Sequence, residues 1–326
     1  MSRLDKYRSA MLATFPDVED EELACELDQM DEHFPQFVID HGLGPLWHER
    51  TGREEFRESR LAAEALYMAQ MPALAEINDA LDKSGVEYAV IKGAATRLLL
   101  YGNPAVRACH DIDLLVRRED RVRAATTLTS LGFSPAPEAR SISRELMLMR
   151  GEVIVDLHWG LLREGRLRVD LAPEMLSRRQ QNDGMSVLAG EDSLFLLLVH
   201  PAFAKHLASW NTGLHRVADV TAWVQSQTFD WPVLRDHLEN NGVCTAAWAT
   251  TRWVQHLYGD RAPQTLESMA ADIRPGRLRR LWLDCWLRNE LSERTSRLRW
   301  ARLLGFSMLL HDTPGDALRA FMGRYR

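Results

Sequence analysis

The chain has 326 residues, 46% of them apolar and 26% charged, which is the composition of an ordinary globular protein large enough for a sizeable core and two domains. A formal charge of −6 speaks against a general nucleic-acid binder, and Cys25, Cys109, Cys244 and Cys285 form no C-x-x-C pair that would suggest a zinc site or a disulfide framework. No apolar run approaches the ~20 residues of a membrane helix, and the charged start MSRLDKYRSAMLATF lacks a continuous apolar segment, so the expectation is a cytoplasmic chain without a membrane partner.

Residues 1–83 read as a helical segment. Leu61, Ala65 and Met68, then Leu74, Ile77 and Leu81, follow helical spacing, with Pro72 expected to kink or break the run into two helices. The glycines and proline of HGLGPLW (His41 to Trp47) predict a loop. The texture changes at Gly85. Val86 to Ile91 is a β-rich run ending at Lys92-Gly93, and ATRLLLY follows as a short helix. DIDLLV (Asp111 to Val116) is a second strand, and Glu119 to Leu131 is a helix stopped by Gly132. ELMLM (Glu145 to Met149) and EVIVDLHW (Glu152 to Trp159) flank Arg150-Gly151 as a tight hairpin. These elements predict a small α/β unit over residues 84–190. From 191 to 326 the chain is helical again, with Asp192 as the expected N-cap of SLFLLLVH. The fold class expected is therefore α+β, a central sheet between N-terminal helices and a C-terminal helical domain.

The chemistry is concentrated in three aspartates. Asp111 and Asp113 alternate along one strand and so share a face, about 6–7 Å apart at Cα. Two such carboxylates can bracket a pair of divalent ions about 3.5–4 Å apart, the spacing used for displacement at phosphorus. Mg²⁺ prefers hard oxygen ligands of this kind, with Mn²⁺ the alternative ion. Asp156 sits mid-strand in EVIVDLHW, where an aspartate is costly unless it is paired or binds a metal. Lys92, Gly93 and Ala94 mark a strand-to-helix turn, where the backbone can approach a phosphate and the helix N-terminus offers unpaired N–H groups. A plain turn with a surface lysine fits the same pattern.

The order VIKGAATRLLLYGNPAVRACHDIDLLV, then VIVDLHW, resembles the DNA polymerase β-like nucleotidyltransferase superfamily, and in particular its group of bacterial uncharacterised nucleotidyltransferases. The resemblance extends through HGLGPLW upstream and HPAFAKHLASWNTGLHRVADV downstream, covering roughly residues 30–225. It implies a polymerase β-like sheet in which Asp111, Asp113 and Asp156 are the catalytic and metal-ligating triad for two Mg²⁺ ions. Asp156 would also help activate the acceptor. The substrate implied is an NTP, its nucleotidyl group passing to an acceptor (peptide, protein or small natural product) with release of pyrophosphate. Gly93 would mark the phosphate turn. Ala94 stands where the superfamily has a second small residue, commonly glycine or serine, and seventeen residues separate Gly93 from Asp111, more than in minimal members.

Other side chains admit two readings each. Arg107 could clamp phosphate or pair with a nearby carboxylate. His158 could orient Asp156 or the acceptor, or be a buried histidine satisfied by a carbonyl. Lys205 could reach the nucleotide or lie on the surface, and His200 and His206 are six residues apart and do not share a helix face. Residues 271–326 hold twelve arginines against six carboxylates. There Leu278, Leu281 and Trp282, then Leu298, Ala301 and Leu303 or Leu304, form expected apolar stripes flanked by arginines. Arg297, Arg299 and Arg302 around Trp300 could dock an anionic acceptor. The alternatives are a toxin-like enzyme that modifies RNA and a non-catalytic nucleotide-binding scaffold.

Overall fold

The computed structural model describes residues 3–136, 144–207, 213–289 and 299–323. Five helices come first: α1 (Arg3–Met11), α2 (Asp20–Gln29), α3 (Phe34–Asp40), α4 (Gly44–Thr51) and the long α5 (Arg57–Lys83). Strand β1 (Tyr88–Ile91) leads into α6 (Lys92–Leu100), then β2 (Asp111–Val116), α7 (Arg121–Ser130), the short β3 (Ser134–Pro135), and the hairpin β4 (Glu145–Arg150) and β5 (Val153–His158). After α8 (Ala172–Ser177) a second hairpin, β6 (Gln180–Asn182) and β7 (Met185–Val187), completes a mixed seven-stranded sheet in the order β3-β4-β5-β2-β1-β7-β6. Eight helices follow: α9 (Gly190–Lys205), α10 (Leu214–Ser226), α11 (Trp231–Asn241), α12 (Cys244–Tyr258), α13 (Gln264–Asp272), α14 (Arg277–Asn289), α15 (Arg299–Leu309) and α16 (Pro314–Gly323).

Strand periodicity gives the sheet two different faces. Val90, Ile112, Leu114, Val116, Val155 and Leu157 point into one core, where Leu74, Ile77 and Leu81 of α5 and Ala124 and Leu128 of α7 cover them. Ala89, Ile91 and Leu115 point to the other face and belong to a larger core shared by the helices of both ends of the chain. That sharing is direct. Tyr7 of α1 meets Trp253 of α12 edge-on at 5.7 Å, and Arg8 donates to the carbonyl of His256 at 2.9 Å. The N-terminal helices therefore pack with the C-terminal ones as well as with the sheet.

Several local expectations are corrected. Pro72 lies inside α5, which runs unbroken for 27 residues. The carbonyl it deprives of a partner belongs to exposed Met68, where solvent can serve. Leu61, Ala65 and Met68 face solvent, and the buried stripe is carried by Ala63, Gln70, Leu74, Ile77 and Leu81. HGLGPLW is a loop only to Leu43, because Pro45 in the first turn of α4 suits a helix start. Asp192 does not cap α9, which begins at Gly190. A Cβ at Gly190 would stand 2.1 Å from the carbonyl oxygen of Thr228, so close packing fixes the start earlier, and buried Asp192 accepts from Arg178 at 2.6 Å instead. On α14 the buried face is Leu283, Trp286 and Leu287, while Leu278, Leu281 and Trp282 are exposed. Arg297 and Leu298 lie outside the described residues, as do the side chains of Arg299 and Trp300. Among the described residues no helix is long and apolar enough to cross a membrane.

The last helix is tied down by one carboxylate. Thr313 and Asp316 bond each other at the start of α16, and Asp316 also accepts two hydrogen bonds from Arg168, at 2.8 and 2.6 Å, and one from Arg319. These donors, Arg168 foremost, hold the Asp316 carboxyl well below the usual carboxylate range. A depressed folded-state pKa gives stability that is fully present above the unfolded value of about 3.9 and is lost as pH falls towards the folded one. Asp316→Asn is expected to cost about 1–3 kcal/mol at pH 7, and the gap to the unsubstituted protein should shrink progressively below about pH 4. Urea unfolding of both proteins across that range measures it. A gap independent of pH would show that charge on Asp316 is not what holds α16.

Candidate metal and nucleotide site

The register of the two central strands assembles the site. β2 and β5 are parallel, with Asp113 opposite Asp156 and Asp111 opposite Ile154. Asp111, Asp113 and Asp156 accordingly project from the same face, on strands about 4.8 Å apart. On the other side β1 runs antiparallel to β2 and ends with Ile91 opposite Asp113, so the next residue, Lys92, turns beside that carboxylate. Its Nζ donates to Oδ1 of Asp113 at 2.6 Å. Nε2 of His158 lies 2.6 Å from the same oxygen and 3.1 Å from the ammonium. Nδ1 of His158 is 3.4 Å from Glu145, its cross-strand partner on β4.

Crowding separates the protonation behaviour of the three carboxyls. Burial favours a proton on Asp113, but Lys92 and His158 outweigh it and hold the group well below the usual range. Among the described residues Asp111 has no such donor pair: burial raises it, and the charge on Asp113 adds to the rise. Burial also pushes Asp156 up to about 6, with Asp113 and Asp111 contributing repulsion. Its Oδ1 is buried and, among the described residues, has no hydrogen-bond partner. One ligand atom from each of Asp113, Asp156 and His158 falls within a 4.8 Å span. Two carboxylates and an imidazole at that spacing, with a carboxylate oxygen still to be satisfied, are suited to a divalent cation. Asp111 stands one step along the strand, at the rim of this cluster.

The cluster forms the floor of a cavity of about 630 Å³, within the range of small-ligand sites. The walls include Lys92, Gly93, Arg107, Lys205 and Arg216. Lys92 has a left-handed backbone, φ 53°. A Cβ on Gly93 would come within 2.9 Å of Cys109 Sγ, so this glycine lets α6 close against the loop that enters β2. Ala94 does not line the cavity; its side chain is buried in the α5 core. Arg107 reaches the wall, but its guanidinium is buried against Asp219 of α10, with Nη2–Oδ2 at 2.6 Å, and Tyr101 donates to the same carboxylate at 2.9 Å. Lys205, at the end of α9, is half-buried, and its pKa is lowered by burial and by Arg216.

Sequence reasoning singled out neither Arg216 nor Glu145, and it gave His200 no part in the site. His200 and Arg216 line the cavity, and burial lowers both of their pKa values. The signal for Arg216 lay in the LHRVAD segment, whose neighbour His215 packs under the HGLG turn. A Cβ on Gly42, φ 75°, would fall 2.2 Å from His215 Nδ1, and the His215 ring nitrogen lies 3.1 Å from the carbonyl of His41. The two segments build one wall.

Carboxylates on adjacent strands of a mixed sheet lie under a cavity rimmed by lysine and arginine, an arrangement suited to a cation and an anion bound together. A family described as uncharacterised nucleotidyltransferases matches residues 40–259, more than half of the chain, and the protein belongs to it. Its α+β sheet with flanking helices is that fold. No curated protein matches the chain.

If the cluster holds the ion, Asp113→Asn and Asp156→Asn should each weaken Mn²⁺ binding by more than about 10-fold, the loss that even an outer-shell change can cause, while melting temperatures stay close to that of the unsubstituted protein. Calorimetric titration decides. Undiminished affinity in both variants removes the metal from this cluster.

Proposed function

We propose that the protein is a metal-dependent nucleotidyltransferase that moves a nucleotidyl group from an NTP to a peptide, protein or small natural product. The observation that carries this reading is the pairing of Asp113 with Asp156 across parallel strands, with Oδ1 of Asp156, which has no hydrogen-bond partner among the described residues, beneath a cavity of about 630 Å³. Asp111, Asp113 and Asp156 act as the triad in the central unit, residues 84–190, with the helices of 1–83 and 191–326 around it. Bound Mg²⁺, two ions with Mn²⁺ as a substitute, would neutralise charge on the attacking and leaving oxygens.

The residues divide the remaining work. Lys92, the backbone at Gly93, and Lys205 hold the phosphates, while Ala94, buried away from the cavity, takes no part. Arg107, fixed by Asp219, shapes the wall rather than moving with the ligand. Asp156 receives the proton of the acceptor hydroxyl or amine as that atom bonds to the α-phosphorus and the bond to the β-phosphate oxygen breaks, releasing pyrophosphate. The arginine surplus over residues 271–326 supports an anionic acceptor.

Incubation with each of the four NTPs, Mg²⁺ and a cell extract, followed by pyrophosphate assay and intact-mass analysis, tests the reaction. The expected result is pyrophosphate release with a nucleotidyl mass shift on one component. Asp156→Asn should keep NTP affinity within about 3-fold yet lose at least 100-fold in turnover, the scale of a lost general base. A fully active Asp156→Asn enzyme would reduce this residue to a structural part.

A further inference from the structure

The position of Lys92 carries more than phosphate binding. Its left-handed backbone, φ 53°, is disfavoured for a residue with a Cβ and persists where the surroundings hold it. From that backbone the side chain enters a close ion pair: Nζ is 2.6 Å from Asp113 Oδ1 and 3.1 Å from His158 Nε2, and the lysine and aspartate side chains are only 19% and 7% exposed. Asp113 and His158 are two of the three groups that could hold a cation. Oδ1 of Asp113 already meets Nζ and Nε2, one neighbour for each of its two lone-pair sites. A metal bonds oxygen or imidazole nitrogen at about 2.0–2.2 Å. One that used Oδ1 and Nε2 together would either overlap the ammonium or sit beside it as a second positive charge in a buried place.

We propose that Lys92 is a tethered counter-ion, which neutralises Asp113 when no nucleotide is bound and is drawn onto the outer phosphates of the NTP when the metal enters. The phosphate half of this statement rests on the nucleotidyltransferase reading; the competition with metal does not. The consequence is reciprocal. A nucleotide that pulls Lys92 off Asp113 opens the metal position, and a metal that expels Lys92 frees it for phosphate, so the two ligands favour each other through one side chain. The bare protein resists taking up a metal ion by itself.

The test is the affinity for Mn²⁺ alone, read by electron paramagnetic resonance of the free ion, in the unsubstituted protein and in Lys92→Gln, Lys92→Met and Lys92→Arg. Without nucleotide, Lys92→Gln and Lys92→Met should bind Mn²⁺ about 10-fold more tightly, within the usual 5–150-fold range of site coupling, and Lys92→Arg should behave as the unsubstituted protein does. Melting curves give a second readout. The neutral variants should melt lower than the unsubstituted protein without metal and gain more from saturating Mn²⁺. With a non-hydrolysable NTP the affinity gain should disappear, because the phosphate contact is lost as well. Equal or weaker Mn²⁺ binding in whichever neutral variant folds overturns the counter-ion role and leaves the metal site standing. No Mn²⁺ binding by any of the proteins, with or without nucleotide, overturns the metal-dependent reading itself.

Discussion

Three carboxylates on one face of two adjacent strands, partly shut away from water, repel one another strongly. At an effective dielectric constant near 20, two like charges about 4 Å apart cost about 4 kcal/mol. The chain relieves this unevenly. Lys92 and His158 are both spent on Asp113, which stays ionised, while Asp111 and Asp156 are pushed towards their protonated forms by burial and by the charges beside them. A further positive charge beside Asp156 would relieve what repulsion remains.

Keeping the carboxylates together also constrains residues that touch no ligand. The loop between α6 and β2 is bolted to α10 by the buried Arg107–Asp219 pair and by Tyr101 on the same carboxylate. Gln70 of α5 donates to the carbonyl of Cys109 at 3.2 Å, and Cys109 itself packs where only glycine fits at 93. A buried ion pair of this kind contributes little net stability because desolvation offsets the attraction, and its value is in fixing one geometry. The K-G, P-x-x-R, HGLG and HRVAD segments, spread over 179 residues from His41 to Asp219, all converge on this wall.

What the sequence made legible followed from local rules. The period of two put Asp111 and Asp113 on one face, and the apolar neighbours of Asp156 marked it as a costly placement, so the paired strand aspartates and the α+β sheet could be read before any coordinates. Properties that depend on distant partners could not. Arg107 had two readings until Asp219, 112 residues away, met its guanidinium. His158 contacts Asp113 rather than a carbonyl, which needed the β2–β5 register. Asp192 had the right residue type for a cap, but the approach of Gly190 to Thr228 moved the helix start. On α14 the apolar residues Leu278, Leu281 and Trp282 are exposed and Leu283, Trp286 and Leu287 are buried, a choice of face that periodicity alone does not make. The β6–β7 hairpin, polar at one strand and three residues long in each, gave too short a pattern to register.

The distribution of charge around the cavity follows the same logic. Its floor is acidic and its walls carry Lys92, Lys205 and Arg216, so an anion alone would meet the walls and be repelled by the floor, while a cation alone would meet the reverse. Burial lowers the pKa of Lys205 and Arg216, with neighbouring positive charge adding to it, and so both gain from an anion placed between them. Only a ligand that brings both signs, cation towards the strands and phosphate towards the helices, satisfies floor and walls together. On the proposed reading, selectivity for a metal–nucleotide complex over either component would need no dedicated discriminating residue. It would arise from placing carboxylates on the strands and basic side chains on the helices that cover them.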